Sequence, residues 1–214
     1  MANEIVALEG AEESAVRQAQ AYRVGVGTQT LELPLMQIAP NVAICLLMTT
    51  DEDIAVMKRA ATELAQQLPA VDAVASAATL GIQVGLEVAA AMGLRRQYVL
   101  HKTDKKHLSD ALVEPLESIT TAGSQALRLD KRWLPHLRGK RVAFVDDVIS
   151  SGGSASAAVR LLRAAGADVV AVAAILVEGD KWRPALHDVP VVSYLAKIPV
   201  FTRPGPGDPW TPDA

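Results

Sequence analysis

Aromatic residues are scarce in this chain: three Trp, three Tyr and two Phe make up 4% of 214 residues, although half of the sequence is hydrophobic. A core must therefore be built from Ala, Val, Leu and Ile, the composition of parallel sheets covered by helices. There is one cysteine, Cys45, so an internal disulfide is excluded. Its place in the apolar run 42–48 makes it a small buried hydrophobe rather than a nucleophile. No uninterrupted apolar stretch is long enough to span a bilayer, and the opening residues lack the positive-then-apolar pattern of an export signal. A cytoplasmic protein is expected. The formal charge of −3, with both signs spread along the chain, offers no basic footprint for nucleic acid. At this length one sizeable α/β domain with a small appendage is the expectation.

What the chain does have is concentrated in Arg141–Ser154, RVAFVDDVISSGGS. Val142, Ala143, Phe144 and Val145 make a short buried strand that is expected to end in two carboxylates, Asp146 and Asp147. After two apolar residues come Ser150, Ser151, Gly152, Gly153 and Ser154, which open a helical run over 155–165. A Ser/Gly-rich loop feeding a helix N-terminus presents unpaired N–H groups and a positive dipole end, which suits a phosphate. Strand–loop–helix units with glycines are common, and one acid often merely caps the helix. The joint occurrence of strand, acid pair and five-residue loop favours a ligand with two faces: a phosphate in the loop, and hydroxyls or a metal by the acids.

Elsewhere the pattern reads as alternating strands and helices. Residues 12–23 suggest a helix, and 28–48 suggest strands interrupted by Pro34 and Pro40. Thr50-Asp51 offers an N-cap for a helix carrying Ile54, Met57, Ala61, Leu64, Ala65 and Leu68 on one face and stopping before Pro69. A strand over 72–76, a turn over 77–81, a helix over 82–92 and a strand over 97–101 form a βαβ arrangement, whose first turn is where a ligand should lie. The polar segment 102–121, with Lys102, Lys105, Lys106 and His107, reads as a mobile excursion. Residues 127–129 return as a strand, 168–177 form another, and the proline-rich tail reads as a wrapped or loose extension.

Taken together, VAFVDDVISSGGS resembles the phosphoribosyl-pyrophosphate (PRPP) binding motif of the type I phosphoribosyltransferases. The order of elements over about 53–178 is similar to the common core of that family. Within it, ASAATLGIQVGLEVAAAMGLRRQYVLHK and LESITTAGSQALRL resemble the purine enzymes acting on adenine or xanthine, the first as pyrophosphate loop and helix, the second as flexible loop and return strand. The resemblance implies a type I phosphoribosyltransferase fold in one domain, 1–214. A central, mostly parallel sheet flanked by helices would span about 50–180, with a small hood from 1–49 and 181–214. It also implies transfer of the 5-phosphoribosyl group from PRPP to a purine base with release of pyrophosphate. Mg²⁺ would enter through PRPP rather than through direct protein ligands, and a homodimer is implied, with no nucleic acid or membrane partner.

By position, the resemblance gives Asp146 and Asp147 the ribose hydroxyls, and Ser150, Ser151, Gly152, Gly153 and Ser154 the 5′-phosphate. Ala78, Thr79, Leu80 and Gly81 would form the pyrophosphate loop, with Lys102 and Lys105 or Lys106 supplying positive charge. Asn41 and Trp182 are the candidates for the base, Asn41 at its edge and Trp182 on its face. The chain departs from the adenine enzymes at two places. They usually carry Glu-Ala-Arg-Gly where this chain has Ala78-Thr79-Leu80-Gly81, and a Glu in the flexible loop where alignment on Gly123 gives Thr121. Glu114 and Glu117 are nearby acids that could accept a proton instead. Two other readings stay open: a PRPP-binding regulatory protein without transferase activity, and an enzyme on this scaffold with a different acceptor or a hydrolytic outcome.

Overall fold

The computed structural model describes residues 3–7, 20–104, 110–116 and 125–213. Four strands come first: β1 (Glu4–Ala7), β2 (Gln20–Val26), β3 (Gln29–Ala39) and β4 (Val42–Cys45). They are followed by α1 (Ile54–Gln67), β5 (Ala73–Ala77), α2 (Gly81–Ala91) and β6 (Gln97–Leu100). A hairpin of β7 (Ala111–Pro115) and β8 (Ala126–Asp130) leads through α3 (Leu134–Leu137) to β9 (Arg141–Ile149), α4 (Gly153–Ala164) and β10 (Asp168–Glu178). The chain closes with β11 (Val191–Ile198), β12 (Phe201–Thr202) and β13 (Thr211–Pro212).

The central sheet has the order β11-β10-β9-β5-β6 with every pairing parallel. All five residues of β5 are buried, as expected where helices cover both faces and leave room for small side chains. Alternation divides the core in two. Phe144, Ala75 and Val172 pack on one face with Leu161 and Leu162 of α4, while Val145, Val74 and Ala173 pack on the other with Met57, Leu64 and Val88.

α1 forms as its periodicity demands, burying Met57, Ala60, Ala61 and Leu64 at three- and four-residue steps. Its cap is Asp53 rather than Thr50-Asp51: the Asp53 carboxylate accepts from the N–H groups of Ala55 and Val56, at 2.7 and 3.2 Å. The helix ends where Leu68, before Pro69, turns extended.

The second sheet, β1-β2-β3-β4-β12-β13, is antiparallel throughout and forms the hood. Here the sequence reading needs correction. Residues 20–23 belong to a strand, not a helix, because Tyr22, Val24 and Val26 alternate inward while Arg23 points out to Glu4 and Glu32. The rest of that expected helix, 12–19, lies outside the described residues. Pro34 does not interrupt β3. It sits where the strand changes partner, from Pro34 opposite Ala21 to Leu35 opposite Cys45, so its missing N–H falls at a seam between two ladders.

Two further segments are more ordered than their composition suggests. Residues 111–115 are a strand paired with β8 rather than part of a mobile excursion. The proline-rich tail contributes β11 to the central sheet, in register from Ala171↔Val191 to Glu178↔Ile198. It then returns to the hood, where Phe201 is fully buried against Tyr22 with ring centroids 5.2 Å apart. Among the described residues no helix is long and apolar enough to cross a membrane.

Candidate functional site

The parallel strands β5, β6, β9 and β10 end on one side of the sheet, and the loops that leave β5, β6 and β9 line two adjoining recesses. The acid pair lies within β9 rather than beyond it. The ladder to β10 continues through Asp146↔Ala174 as far as Ile149↔Val177, because Val148 and Ile149 are apolar and extend the strand. Asp146 is 7% exposed and accepts the Asp147 N–H at 3.2 Å. Burial raises its carboxyl well above the usual range, the neighbouring Asp147 charge adds to this, and Lys102 partly opposes it.

A recess of about 460 Å³ opens in front of this pair, lined by Thr79, Leu80, Gly81, Lys102, Asp146 and Asp147, among others. The peptide between Ala78 and Thr79 is cis. Gly81 starts α2 and must be glycine for a steric reason: a Cβ there would lie 2.2 Å from Asp146 Oδ1. Thr49, fully buried, supports the loop by donating its hydroxyl to the Leu80 carbonyl at 2.9 Å.

The second recess, about 140 Å³, is framed by Asp146 and the loop 148–155. Gly152 has φ +82°, and a Cβ on it would come within 2.9 Å of Ala185 Cβ and 3.1 Å of the Trp182 backbone. Both conformation and space therefore require glycine. The N-cap residue Gly152 has no side chain to cap α4; the Gly153 N–H makes a long contact of 3.4 Å to Ser151 Oγ, and among the described residues the amides of Ser154 and Ala155 face no side-chain acceptor.

A third, larger cavity of about 840 Å³ lies between the hood and the far side of this loop. Ile38, Val42 and Ile44 form its hood wall, and Ser150, Glu178 and Ile198 are on its core wall. Ser150 donates its hydroxyl to Glu178 Oε2 at 2.5 Å, so that hydroxyl is engaged within the protein, whereas Ser151 and Ser154 stay on the recess wall. Glu178 was not singled out by its sequence context. The available signal was a lone acid closing the apolar run VVAVAAILV. The same charge, after burial itself, helps push the Cys45 thiol up to about 12, which keeps it a neutral core residue.

Asp146, Asp147, Lys102, residues 78–81 and residues 150–154, the set the resemblance implied, line the two adjoining recesses. Lys105 and Lys106, with His107, Glu117, Thr121 and Gly123, lie outside the described residues. Glu114 is held by Arg160 of α4 at 2.5 Å, which removes it from the role of spare proton acceptor. Asn41 is exposed in the β3–β4 turn, where its carbonyl accepts from the Arg203 N–H, and Val42 rather than Asn41 forms the cavity wall there. Trp182 is 4% exposed, its indole N–H donates to the Gly179 carbonyl, and Arg183 covers its ring. Its position in the core cluster leaves no face for a base.

The parallel sheet, acid pair and glycine loop together define a type I phosphoribosyltransferase fold. The model of the phosphoribosyl transferase domain matches residues 52–203, and the chain belongs to that family. Among curated relatives, the adenine phosphoribosyltransferase of Nitrobacter hamburgensis is 50% identical over 62 residues, which is 28% of this chain and 35% of that protein. The orotate phosphoribosyltransferase of Staphylococcus haemolyticus is 34% identical over 116 residues, 54% of this chain and 48% of that one. These matches span between a third and a half of the curated relatives' length. Of solved structures, adenine phosphoribosyltransferase from Thermoanaerobacter pseudethanolicus superposes with a TM-score of 0.66 at 21% identity, over 77% of this chain and 95% of that one. The Saccharomyces cerevisiae adenine enzyme gives a TM-score of 0.60 at 22% identity, over 74% and 93%. They share the fold.

Proposed function

We propose that this protein transfers the 5-phosphoribosyl group of PRPP to a purine base and releases pyrophosphate. The observation that carries the reading is the placement of an acid pair, Asp146 buried and Asp147 partly exposed, between two loops able to hold anions, one at the start of α4 and one before α2. A sugar carrying phosphate at one end and pyrophosphate at the other matches that spacing of chemistry. The relatives named for adenine favour a purine, and the one named for orotate marks the base as the finer part of the proposal.

Bond by bond, the base nitrogen forms a bond to the anomeric carbon as the bond from that carbon to the pyrophosphate oxygen breaks. The reacting centre has cation character, so the protein's tasks are alignment, stabilisation of the departing anion and exclusion of water. Asp146 and Asp147 would accept hydrogen bonds from the ribose hydroxyls and fix the sugar. The amides of 152–155 would hold the 5′-phosphate, and the 78–81 loop with Lys102 would receive the pyrophosphate.

The site suits Mg²⁺ by the chemistry of its donors, two carboxylates and the Thr79 hydroxyl, which are hard oxygen ligands facing one recess. Among the described residues no group of three or more His, Cys, Asp or Glu could hold an ion alone, so PRPP oxygens and water would complete its shell. When bound, the ion would neutralise part of the charge developing on pyrophosphate.

One observation favours a second reading, a PRPP-binding protein without turnover: the loop Ala78-Thr79-Leu80-Gly81 carries no charged side chain. Release of pyrophosphate from Mg²⁺-PRPP, measured with adenine, hypoxanthine, guanine, xanthine, orotate, uracil and no base, separates the two. Turnover with a purine supports the transferase. Tight PRPP binding without turnover on any base replaces it with the second reading.

A further inference from the structure

The segment after β4 keeps the alternation of that strand: Ala43, Cys45, Leu47 and Thr49 are buried, while Ile44, Leu46 and Met48 between them are half-buried. Three of the four inward positions are apolar. The fourth, Thr49, is fully buried, and a hydroxyl in such a place must find a partner or cost stability. A valine would fill the same space without that demand. The partner is the Leu80 carbonyl, 2.9 Å away and 31 positions along the chain. The hydroxyl is thus committed to the backbone of the 78–81 loop, where Leu80 and Gly81 line the recess in front of Asp146 and Asp147.

This bond fixes the orientation of one peptide group. The Leu80–Gly81 peptide is trans, and across a planar trans peptide the C=O and N–H point in opposite directions. With the Leu80 carbonyl held by buried Thr49, the Gly81 N–H faces away from Thr49. Among the described residues that N–H has no acceptor, as expected for the first amide of α2. We propose that Thr49 is a positioning residue for the pyrophosphate: by holding the Leu80 carbonyl it aims the Gly81 amide at the anion. The proposal rests on the transferase reading above and deepens its account of the loop. Without the hydroxyl, the peptide is free to turn its carbonyl oxygen toward the recess, where it would repel an anion that the amide attracts. The 150–154 loop makes no hydrogen bond with Thr49, so the effect belongs to one of the two anions alone.

The test is calorimetric titration of inorganic pyrophosphate with Mg²⁺, and separately of ribose 5-phosphate, into the wild type, Thr49→Val, Thr49→Ala and Thr49→Ser. Thr49→Val keeps the shape and removes the donor, so pyrophosphate affinity should fall about tenfold, while ribose 5-phosphate affinity is unchanged. Thr49→Ser restores the donor and should bring pyrophosphate affinity back to within about threefold of the wild type. Thr49→Ala also removes the donor and decides the matter if Thr49→Val does not fold. A merely structural Thr49 would weaken both ligands together or neither. Unchanged pyrophosphate affinity in the folded variants that lack the donor, equal losses for the two ligands, or no recovery in Thr49→Ser overturns the proposal. Pyrophosphate release from Mg²⁺-PRPP, measured with the same panel of bases, keeps the transferase reading separate. Wild-type turnover with unchanged pyrophosphate affinity in Thr49→Val removes only the role of Thr49. A selective loss in Thr49→Val without turnover on any base keeps that role and removes only the transfer. A wild type that binds neither pyrophosphate nor PRPP removes both.

Discussion

Asp146 and Gly81 share one space: the carboxylate Oδ1 sits 2.2 Å from the point where a Cβ on Gly81 would be. The first residue of α2 and the acid of β9 are therefore packed as a unit, although 65 positions separate them in sequence. Their contact fixes the 78–81 loop relative to the acid pair.

Gly81→Ala is expected to force Asp146 aside. Overpacking at such a contact costs about 1–3 kcal/mol, so the urea midpoint should fall. Titration with PRPP should show a larger loss than the stability change accounts for. Unaltered PRPP affinity in this variant would separate Asp146 from the site.

Asp146 also predicts a pH dependence. Its folded carboxyl titrates above its unfolded value, chiefly through burial, so between those two values the folded state holds more protons and stability falls as pH rises. Asp146→Asn should thus raise the melting temperature of the ligand-free protein at pH 7. The gain should vanish below about pH 3, where the unfolded carboxyl is itself largely protonated. The double variant Asp146→Asn with Asp147→Asn should in addition lose PRPP binding while unfolding cooperatively.

Gly152→Ala meets two obstacles, the positive φ and the contacts with Ala185 and Trp182. A loss of about 1–3 kcal/mol is expected, together with weakened ribose 5-phosphate binding in calorimetry. Trp182, buried itself, enters here as a structural backstop for the 150–154 loop.

Phe201→Ala removes the fully buried ring that joins the tail to Tyr22 of the hood. The expected cost is about 3–5 kcal/mol, read from the urea midpoint. If the tail were a loose extension, the midpoint would not move.

Much of this architecture was legible in the residues. The run from Val142 to Ser154 reads as strand, acids and loop because burial, charge and backbone freedom are each written in residue type. The stripe Met57, Ala61, Leu64 reads as a helix because its period is local. What escaped was decided by partners far away. Tyr22, Val24 and Val26 become a strand only against β3. Residues 191–198 enter the main sheet because β10 offers a free edge. Asn41 and Trp182 looked like ligand groups by type, but the fold exposes one in a turn and buries the other.

The sequence by itself determined the chemistry at the end of β9: two adjacent carboxylates and a loop of small residues able to expose its amides. Composition also determined the kind of core, since Ala and Val without aromatics suit a sheet covered on both faces. Only the tertiary structure decided how these parts address a ligand. Glu178 meets Ser150 across 28 positions, and Gly81 meets Asp146 across 65. Such pairings arise from strand order and register, where side chains distant in the chain are brought within a hydrogen bond or a van der Waals contact, and no local pattern encodes them.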